Sequence, residues 1–366
     1  MKPFAHTAFY LLVGLAALGM PVAVNAQNKT SSWLTTNFQA RTHYPTLRAD
    51  SIKYRLFKPA NYDTTKRYPI VVALHGIGER GYNNINQLTL EELAQPWVRD
   101  SVQAKHPHFV MVPQCPTSPF WWASNTWDGT RSKPNSGIVE ILDSLKREFK
   151  LDTTRFYVVG LSMGGFGAIE LMRWNPNLFA AAVPAAGGGD TAAATIPQFV
   201  KTPVWFFHSA TDPTVNVDRG SRTLVAKMEA NLGKPFVRWV SDTGMKNPTG
   251  VSLDSLRKAV YVDNANFLYS EVRNVPGSGN TLHQAGWFAS WRHPMLTDWL
   301  FSKQKINGVT VSVNPAASAR ASRRATPDGI KMVFRNGGLY LEKTVPNGKH
   351  LYTLEGKKME ALVEEF

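Results

Sequence analysis

The sequence is poor in cysteine and in long hydrophobic runs, and each shortage excludes a class of protein. Cys115 is the only cysteine among 366 residues, so the chain has no internal disulfide and must be stabilised by a packed core. After residue 25 no apolar run reaches the roughly 20 residues that cross a bilayer, which excludes a polytopic membrane protein. Hydrophobic residues make up 43% of the chain and aromatic residues 11%, a composition that predicts a globular protein with a large core.

Acidic side chains are also scarce relative to basic ones. The chain has 27 Asp and Glu against 41 Lys and Arg, which gives a formal net charge of +14 at pH 7. Such a charge attracts anionic polymers. The basic residues are scattered, however, and form no basic helix and no nucleic-acid motif, so we expect no nucleic-acid partner.

Signatures of metal and cofactor sites are missing as well. Neither C-x-x-C nor H-E-x-x-H occurs, and His106 and His108 have no third ligand nearby in the sequence. We therefore expect neither a metal ion nor another cofactor. Cys115 is interpreted as a small buried hydrophobic residue.

Residues 1–26 have the organisation of an export signal. Lys2 supplies the positive charge, the stretch from Ala8 to Met20 is apolar, and Val24-Asn25-Ala26 forms a small-residue cleavage site. Because the apolar stretch is short and is followed by Pro21, we expect no stable membrane anchor. The sequence predicts a secreted or periplasmic protein.

The rest of the chain divides into three parts by composition. Residues 27–303 are predicted to form the catalytic domain, residues 304–330 an Ala/Ser/Arg-rich linker, and residues 331–366 a small β-rich unit. The last part resembles the C-terminal sorting domains of proteins exported by Bacteroidetes. That resemblance implies a secretion machinery as partner and a place at the cell surface, and the alternative is an accessory β-unit.

Extended and helical segments alternate from residue 51 onward, a pattern typical of an α/β fold. We predict a mostly parallel central sheet with helices on both faces. The predicted strands cover residues 52–58, 70–74, 109–113, 156–159, 180–183, 204–207 and 269–275, and the predicted helices cover residues 88–103, 137–149, 165–174 and 219–232. Residues 240–266 are interpreted as an insertion before the last strand.

The most informative segment is G-x-S-x-G at residues 160–164, which places Ser162 between a predicted strand and a predicted helix. This is the context of a nucleophile elbow, in which a tight turn exposes the serine hydroxyl above the edge of the sheet. Glycines two residues before and after the serine let the strand and the helix approach each other. We predict that Ser162 is a nucleophile.

A serine nucleophile needs a base, and the base needs an acid that fixes its tautomer. Asp212 follows an apolar strand and is the preferred acid, with Asp190 and Asp218 as weaker candidates. His283, placed in the loop after the last predicted strand, is the preferred base. Its rival, His293, lies in a Trp-Arg-His-Pro stretch, where packing against aromatic residues is the expected role.

Acyl transfer also needs N–H donors for the oxyanion. The residue after the nucleophile, Met163, supplies one, and the loop that follows the strand 70–74 is predicted to supply the other through Ile77. His75 in the same loop is expected to brace it rather than to act as the base.

Four stretches carry a resemblance to a known family: Tyr68–Gly81, Val112–Pro116, Gly160–Gly165 and Phe207–Asp212. The chain resembles α/β-hydrolase serine esterases of the group often labelled predicted peptidases, close to polyhydroxybutyrate depolymerase-like and feruloyl esterase-like enzymes. The resemblance covers roughly residues 50–303. It implies the α/β-hydrolase fold and a triad of Ser162, Asp212 and His283, the same residues that the spacing favours.

Trp121, Trp122 and Trp127 form an aromatic cluster after a predicted strand. The cluster is either a platform that stacks on a sugar or a feruloyl ring, or a core that anchors a long loop. We expect an exported serine hydrolase that cleaves carboxylic esters, with feruloyl or acetyl esters of plant cell-wall polysaccharide as candidate substrates. The alternatives are a serine peptidase with the same triad and a non-catalytic carbohydrate-binding protein.

Overall fold

The computed structural model describes residues 28–46, 51–121, 131–241, 250–312, 330–335, 338–345 and 348–352. By its contacts the chain separates into two units, Met1–Val311 and Ser312–Phe366. The predicted export signal, residues 1–26, lies outside the described residues, as does most of the predicted linker. Within the described part of the chain, no helix combines the length and the apolarity needed to cross a membrane.

The described part of the first unit contains a nine-stranded sheet. Its strands are, in chain order, β1 (Phe38–His43), β2 (Ile52–Phe57), β3 (Tyr68–Leu74), β4 (Phe109–Gln114), β5 (Leu151–Leu161), β6 (Ala181–Ala185), β7 (Val204–Ser209), β8 (Val237–Ser241) and β9 (Phe267–Val272). They lie side by side in the order β1-β2-β4-β3-β5-β6-β7-β9-β8. The pairings of β1 with β2 and of β2 with β4 are antiparallel, and the others are parallel. The predicted mostly parallel sheet is confirmed.

Helices cover both faces of this sheet. In the first unit they are α1 (Ser31–Asn37), α2 (Asn86–Thr89), α3 (Gln95–Val98), α4 (Asp100–Lys105), α5 (Lys133–Glu148), α6 (Met163–Trp174), α7 (Ile196–Phe199), α8 (Thr223–Leu232), α9 (Leu253–Tyr261), α10 (Asn280–Trp291) and α11 (Leu296–Phe301). Side chains of α5, α6 and α8 share a core with one face of the sheet, and those of α3, α9, α10 and α11 share a core with the other.

The central strands are hydrophobic on both sides because both faces are covered. Every residue of β3 is buried, with Ile70, Val72 and Leu74 in one core and Val71 and Ala73 in the other. A strand buried on both faces needs an unbroken apolar run rather than alternation of apolar and polar residues. The apolar run of β3 is therefore the signature of a parallel strand at the centre of the sheet.

The helix predicted over residues 88–103 is wrong as a single element. The structure has the three short helices α2, α3 and α4 in this region instead. Glu91 and Glu92 adopt left-handed φ angles of 57° and 53°, which interrupt a right-handed helix. Pro96 then lies at the start of α3, a position that does not need the N–H that proline lacks.

The edges of the sheet differ from the prediction. Residues 240–266, interpreted as an insertion, include the end of β8 and the helix α9. β8 is a further strand of the sheet and lies parallel to β9. Residues 242–249 lie outside the described residues. After α11 the chain forms two short paired strands, β10 (Lys303–Ile306) and β11 (Val309–Ser312). The hydroxyl of Tyr157 donates to the carbonyl of Lys303 at 2.8 Å, so the chain stays attached to the centre of the sheet where the catalytic domain was predicted to end.

The second unit contains three short strands. They are β12 (Ile330–Arg335), β13 (Gly338–Val345) and β14 (Gly348–Tyr352), which form an antiparallel sheet. The predicted small β-rich unit at the C-terminus is confirmed. Its role as a sorting or accessory module stays a prediction.

Candidate active site

Ser162 occupies a strained turn between β5 and α6. Its φ and ψ angles are 50° and −118°, a region that costs a residue with a side chain about 1–3 kcal/mol. A Cβ at Gly160 would lie 2.1 Å from the carbonyl oxygen of Gly164, and one at Gly164 would lie 2.0 Å from that of Leu74. Only glycine therefore fits at either position, and the close packing of strand and helix holds the serine in place.

Ser162, His283 and Asp212 are joined by two hydrogen bonds. Nε2 of His283 lies 2.9 Å from Oγ of Ser162, and Nδ1 lies 2.6 Å from Oδ2 of Asp212. Because an ionised carboxylate only accepts, Nδ1 carries the proton and Nε2 is left to accept from the serine hydroxyl. All three residues are buried to at least 91%. The structure thus brings together the three side chains that the sequence selected, in the order required for proton transfer.

The imidazole of His283 is held by the helix on which it lies. The sequence predicts a loop at this residue, whereas the structure places it in the first turn of α10. Trp287, one turn later, packs edge to face on the imidazole with ring centroids 4.8 Å apart. Glu91 accepts hydrogen bonds from Trp287 at 3.0 Å and from Gln284 at 3.1 Å, so it fixes the neighbours of the histidine on α10.

Asp212 follows β7 and accepts hydrogen bonds on both carboxylate oxygens. Oδ1 accepts from the backbone N–H groups of Thr214 and Val215, each at 2.9 Å. Oδ2 accepts from His283 and lies 3.3 Å from Nε2 of His208. Burial opposes ionisation, but the hydrogen bonds from His208 and His283 outweigh it and hold the pKa of Asp212 well below its usual range. Asp212 is therefore ionised at neutral pH.

The two predicted oxyanion donors lie, like Ser162, at the carboxyl ends of the parallel strands. Met163 is the first residue of α6, so its N–H has no acceptor within the helix and lies at the positive end of the helix dipole. Ile77 begins a short 3₁₀ turn in the loop after β3. The loop passes close to the serine, since a Cβ at Gly76 would lie 3.7 Å from Cβ of Ser162.

His75 braces this loop from inside the protein. Its Nε2 accepts from the backbone N–H of Cys115 at 2.8 Å, and its Nδ1 therefore donates to the carbonyl oxygen of Gly76 at 2.6 Å. Burial lowers the pKa of His75 to about 3, so the imidazole is neutral. These contacts match the bracing role expected for His75 and connect the loop to the end of β4.

The rival residues have other partners. His293 is packed against Trp205, Phe207 and Trp239, with ring centroids 4.7 to 5.8 Å apart. Asp190 pairs with a side-chain nitrogen of Arg173 at 3.3 Å. Asp218 pairs with Arg222 at 2.8 Å on the surface. The described contacts connect none of these three residues to the hydrogen-bonded series that contains Ser162.

The structure does not present Trp121 to a ligand. Its side chain has no exposed surface, lies against α6 at Gly167 and donates from Nε1 to the carbonyl oxygen of His75 at 3.3 Å. Of the two interpretations of the aromatic cluster, Trp121 therefore fits the core, because a buried indole has no free face for stacking. Trp122 and Trp127 lie outside the described residues.

Two residues that contact the site are not predicted from the sequence. His208 is part of β7, one residue beyond the strand predicted over residues 204–207, and no role was predicted for it, although its spacing of four residues from Asp212 was visible. Glu91 was assigned to a helix, and no sequence signal indicated its contact with Gln284 and Trp287, which lie 193 and 196 residues further on. Contacts of this range depend on the order of strands in the sheet.

Comparisons with known proteins indicate similarity to esterases. The esterase family model matches residues 49–224, a range that contains Ser162 and Asp212. A segment of 92 residues, 25% of this chain, is 32% identical to 13% of a bifunctional acetylxylan esterase/xylanase of Neocallimastix patriciarum. A segment of 139 residues, 37% of this chain, is 29% identical to 31% of the poly(3-hydroxyalkanoate) depolymerase C of Paucimonas lemoignei. The chain thus spans less than a third of the length of either relative.

The crystal structure of a thermostable esterase is similar over a longer range. It superimposes with a TM-score of 0.60 at 30% sequence identity and covers 74% of this chain and 64% of its own. The resemblance to α/β-hydrolase esterases predicted from the sequence is confirmed.

Proposed function

We propose that this chain, whose fold is that of the α/β-hydrolase esterases, hydrolyses carboxylic esters through an acyl-enzyme intermediate. Ser162 is the nucleophile, His283 the general base, and Asp212 the acid that orients the histidine. The N–H groups of Met163 and Ile77 form the oxyanion hole. The series of hydrogen bonds from Ser162 through His283 to Asp212 carries this proposal.

The reaction follows from the direction of these hydrogen bonds. As Oγ of Ser162 attacks the ester carbonyl, its proton moves to Nε2 of His283, and the imidazolium is stabilised by Asp212. Negative charge develops on the carbonyl oxygen, where the two N–H donors stabilise it. His283 then gives the proton to the leaving alcohol. Water, activated by the same histidine, releases the acid from the acyl-enzyme.

The strain at Ser162 supports catalysis over carbohydrate binding without chemistry. A left-handed φ at a residue with a side chain is found where the surrounding structure enforces it, often at active sites. Here the enforced conformation positions a hydroxyl 2.9 Å from Nε2 of His283. Hydrogen bonding to a sugar alone would not require this arrangement.

We propose acyl groups on polysaccharide, acetyl or feruloyl, as the substrate class. One relative is named as an acetylxylan esterase, which supports an ester on plant cell-wall polysaccharide. The other is named as a polyester depolymerase, so polyester is the second arm of the substrate test. Export, with secretion to the medium or the periplasm, follows from the composition of residues 1–26.

The test compares substrates on the wild-type protein and on Ser162→Ala. The substrates are p-nitrophenyl acetate, methyl ferulate, acetylated xylan, poly(3-hydroxybutyrate) and a chromogenic peptide. We expect turnover of the esters, weak or no turnover of the peptide, and loss of all activity in Ser162→Ala. Peptide turnover that exceeds ester turnover would replace the proposal by a peptidase. Full ester turnover by folded Ser162→Ala would contradict the assigned nucleophile.

A further inference from the structure

His208 is a buried histidine that contacts the acid of the proposed triad. It lies near the end of β7, four residues before Asp212, and has no exposed surface. Its Nε2 lies 2.9 Å from the carbonyl oxygen of Val215 and 3.3 Å from Oδ2 of Asp212. Its Nδ1 lies 2.7 Å from Oγ of Ser221. Both ring nitrogens therefore have partners inside the protein.

These partners determine the tautomer of His208. A carbonyl oxygen can only accept a hydrogen bond, so Nε2 must carry a proton to interact with Val215. That N–H is shared between the carbonyl oxygen of Val215 and Oδ2 of Asp212. In the neutral ring Nδ1 is then an acceptor, and the hydroxyl of Ser221 donates to it.

The ring is fixed in position from several directions. Its backbone lies in β7, which is paired with β6 on one side and β9 on the other. A Cβ at Gly220 would lie 3.2 Å from Cε1 of His208, so the turn before α8 packs directly on the imidazole. His208 thus joins a central strand to the loop of Asp212 and to the turn that contains Ser221.

We propose that His208 is a positioning residue, whose Nε2–H holds the carboxylate of Asp212 in the orientation that His283 needs. This inference rests on the proposed function. It adds an imidazole on the far side of the acid, so that one carboxylate oxygen, Oδ2, lies between two histidines. Oδ1 is held separately by backbone N–H groups.

The physical reason is the cost of a buried carboxylate with an unfilled acceptor site. Asp212 has no exposed side-chain surface, so water cannot replace a donor that is lost. Without the N–H of His208, the carboxylate can turn about its last side-chain bond and lengthen its bond to His283. The longer bond weakens the stabilisation of the imidazolium form of His283.

Two substitutions at His208 separate the effect of the position of the hydrogen-bond donor from the effect of losing the packed ring. The amide nitrogen of Gln can reach the place of Nε2, whereas that of Asn reaches only the place of Nδ1. We expect His208→Asn to lower kcat by about 10- to 100-fold with KM nearly unchanged, and His208→Gln to retain kcat within about fivefold. The acid limb of kcat/KM should move to lower pH in His208→Asn and stay in place in His208→Gln.

The measurement is a pH profile of p-nitrophenyl acetate turnover for the full chain and both variants, with melting temperatures as a check of folding. A folded His208→Asn protein with wild-type kcat and an unmoved acid limb would overturn the proposal, as would equal losses in both variants with no change of the profile. If His208→Asn does not fold, Ser221→Ala takes its place. Without the contact of Ser221 at Nδ1 the imidazole can shift away from Oδ2 of Asp212, so we expect kcat to fall about three- to tenfold, while an unchanged kcat would overturn the proposal.

Ser162→Ala, assayed in the same series, separates failure of this inference from failure of the proposed function. If Ser162→Ala is inactive and His208→Asn behaves as wild type, only the role of His208 is withdrawn. If Ser162→Ala keeps full activity, the proposed function fails, and the role of His208 fails with it.

Discussion

His283 and His293 lie ten residues apart and have opposite surroundings. Around His283 the neighbours are polar: a carboxylate at 2.6 Å and a hydroxyl at 2.9 Å. Around His293 they are aromatic, and burial lowers the pKa of its imidazole to about 3. Both side chains are more than 90% buried, so burial alone does not distinguish a base from a packing residue.

The difference shows what makes a buried histidine useful in catalysis. An imidazole can take up a proton inside a protein only where a negative charge compensates for the lost solvation. Asp212 provides that charge for His283, whereas among the described residues nothing acidic contacts the ring of His293. We therefore expect the acidic partner, rather than the burial of the ring, to determine which of the two histidines acts as a base.

The largest expected effect comes from replacing His283, and the same replacement at His293 is its control. His283→Ala should lower kcat by at least about 10⁴-fold, because no other described group can accept the proton of Ser162. His293→Ala is the matched control and should keep kcat per folded molecule while lowering the melting temperature through the cavity it creates. Steady-state kinetics and thermal unfolding of both variants give the answer. Inactive, well-folded His293→Ala beside active His283→Ala would reverse the two roles.

The next effect concerns the charge that distinguishes the two histidines. Asp212→Asn should lower kcat by roughly 10³- to 10⁴-fold with little change in KM, because the amide favours the wrong tautomer of His283. Asp218→Asn, on the surface and paired with Arg222, is the control and should leave kcat unchanged. The kcat values of both variants with p-nitrophenyl acetate test this. Comparable losses in the two variants would show that general charge, rather than Asp212, supports the base.

Much of this arrangement could be predicted from local sequence. Ser162 was identified by the glycines around it and by the apolar strand before it, and Asp212 by the strand that it follows. These features are local because a tight turn and a buried strand constrain only a few neighbouring residues. The parallel sheet itself follows from the alternation of apolar runs and amphipathic helices.

Other parts could not be predicted because they depend on contacts between distant segments. Glu91 reaches α10 only because the loop after α2 folds over it, and the left-handed angles of Glu91 and Glu92 have no glycine to indicate them. The buried state of Trp121 depends on a gap beside Gly167 of α6. Aromatic composition alone cannot tell a stacking platform from a core.

Trp121, like His293, is a buried aromatic side chain of the core. Since its indole is fully buried, Trp121→Ala should destabilise the protein by about 3–5 kcal/mol through lost burial and a new cavity. Substrate affinity for methyl ferulate, measured at a temperature where the variant is folded, should change little. Denaturant unfolding and KM test this together. A large rise in KM without loss of stability would mean that Trp121 stacks on the substrate.

A smaller effect is expected at Glu79, the last residue of the 3₁₀ turn that begins at Ile77. Burial and, secondarily, the charge of Glu91 raise the pKa of Glu79 from about 4.5 to about 7, and its Oε2 has no hydrogen-bond partner among the described residues. Between these pH values the unfolded chain is ionised at this residue while the folded protein stays protonated, so folding loses stability as pH rises.

Glu79→Gln removes this ionisation. The melting temperature of Glu79→Gln relative to that of the wild type should therefore increase from pH 4.5 to pH 7 and level off above it. Scans at closely spaced pH values in one buffer system measure the difference. A difference that does not change with pH would show that Glu79 ionises normally in the folded protein.

The smallest effect is expected from removing the second unit. All proposed catalytic residues lie in the first unit, so a chain that ends at Ser318 should keep kcat/KM on small esters within about twofold. The assay compares truncated and full-length protein at equal concentration, with melting temperatures for both. A folded, inactive truncated protein would mean that the second unit completes the site.

The identity of the nucleophile is tested most directly by covalent labelling. A fluorophosphonate, which reacts with serine only where a base activates it, should modify one residue, and peptide mass spectrometry should locate it at Ser162. Labelling should disappear in Ser162→Ala and fall strongly in His283→Ala, while His293→Ala should be labelled as fast as the wild type. Modification at another serine, or full labelling of His283→Ala, would contradict the assignment of Ser162 and His283 as nucleophile and base.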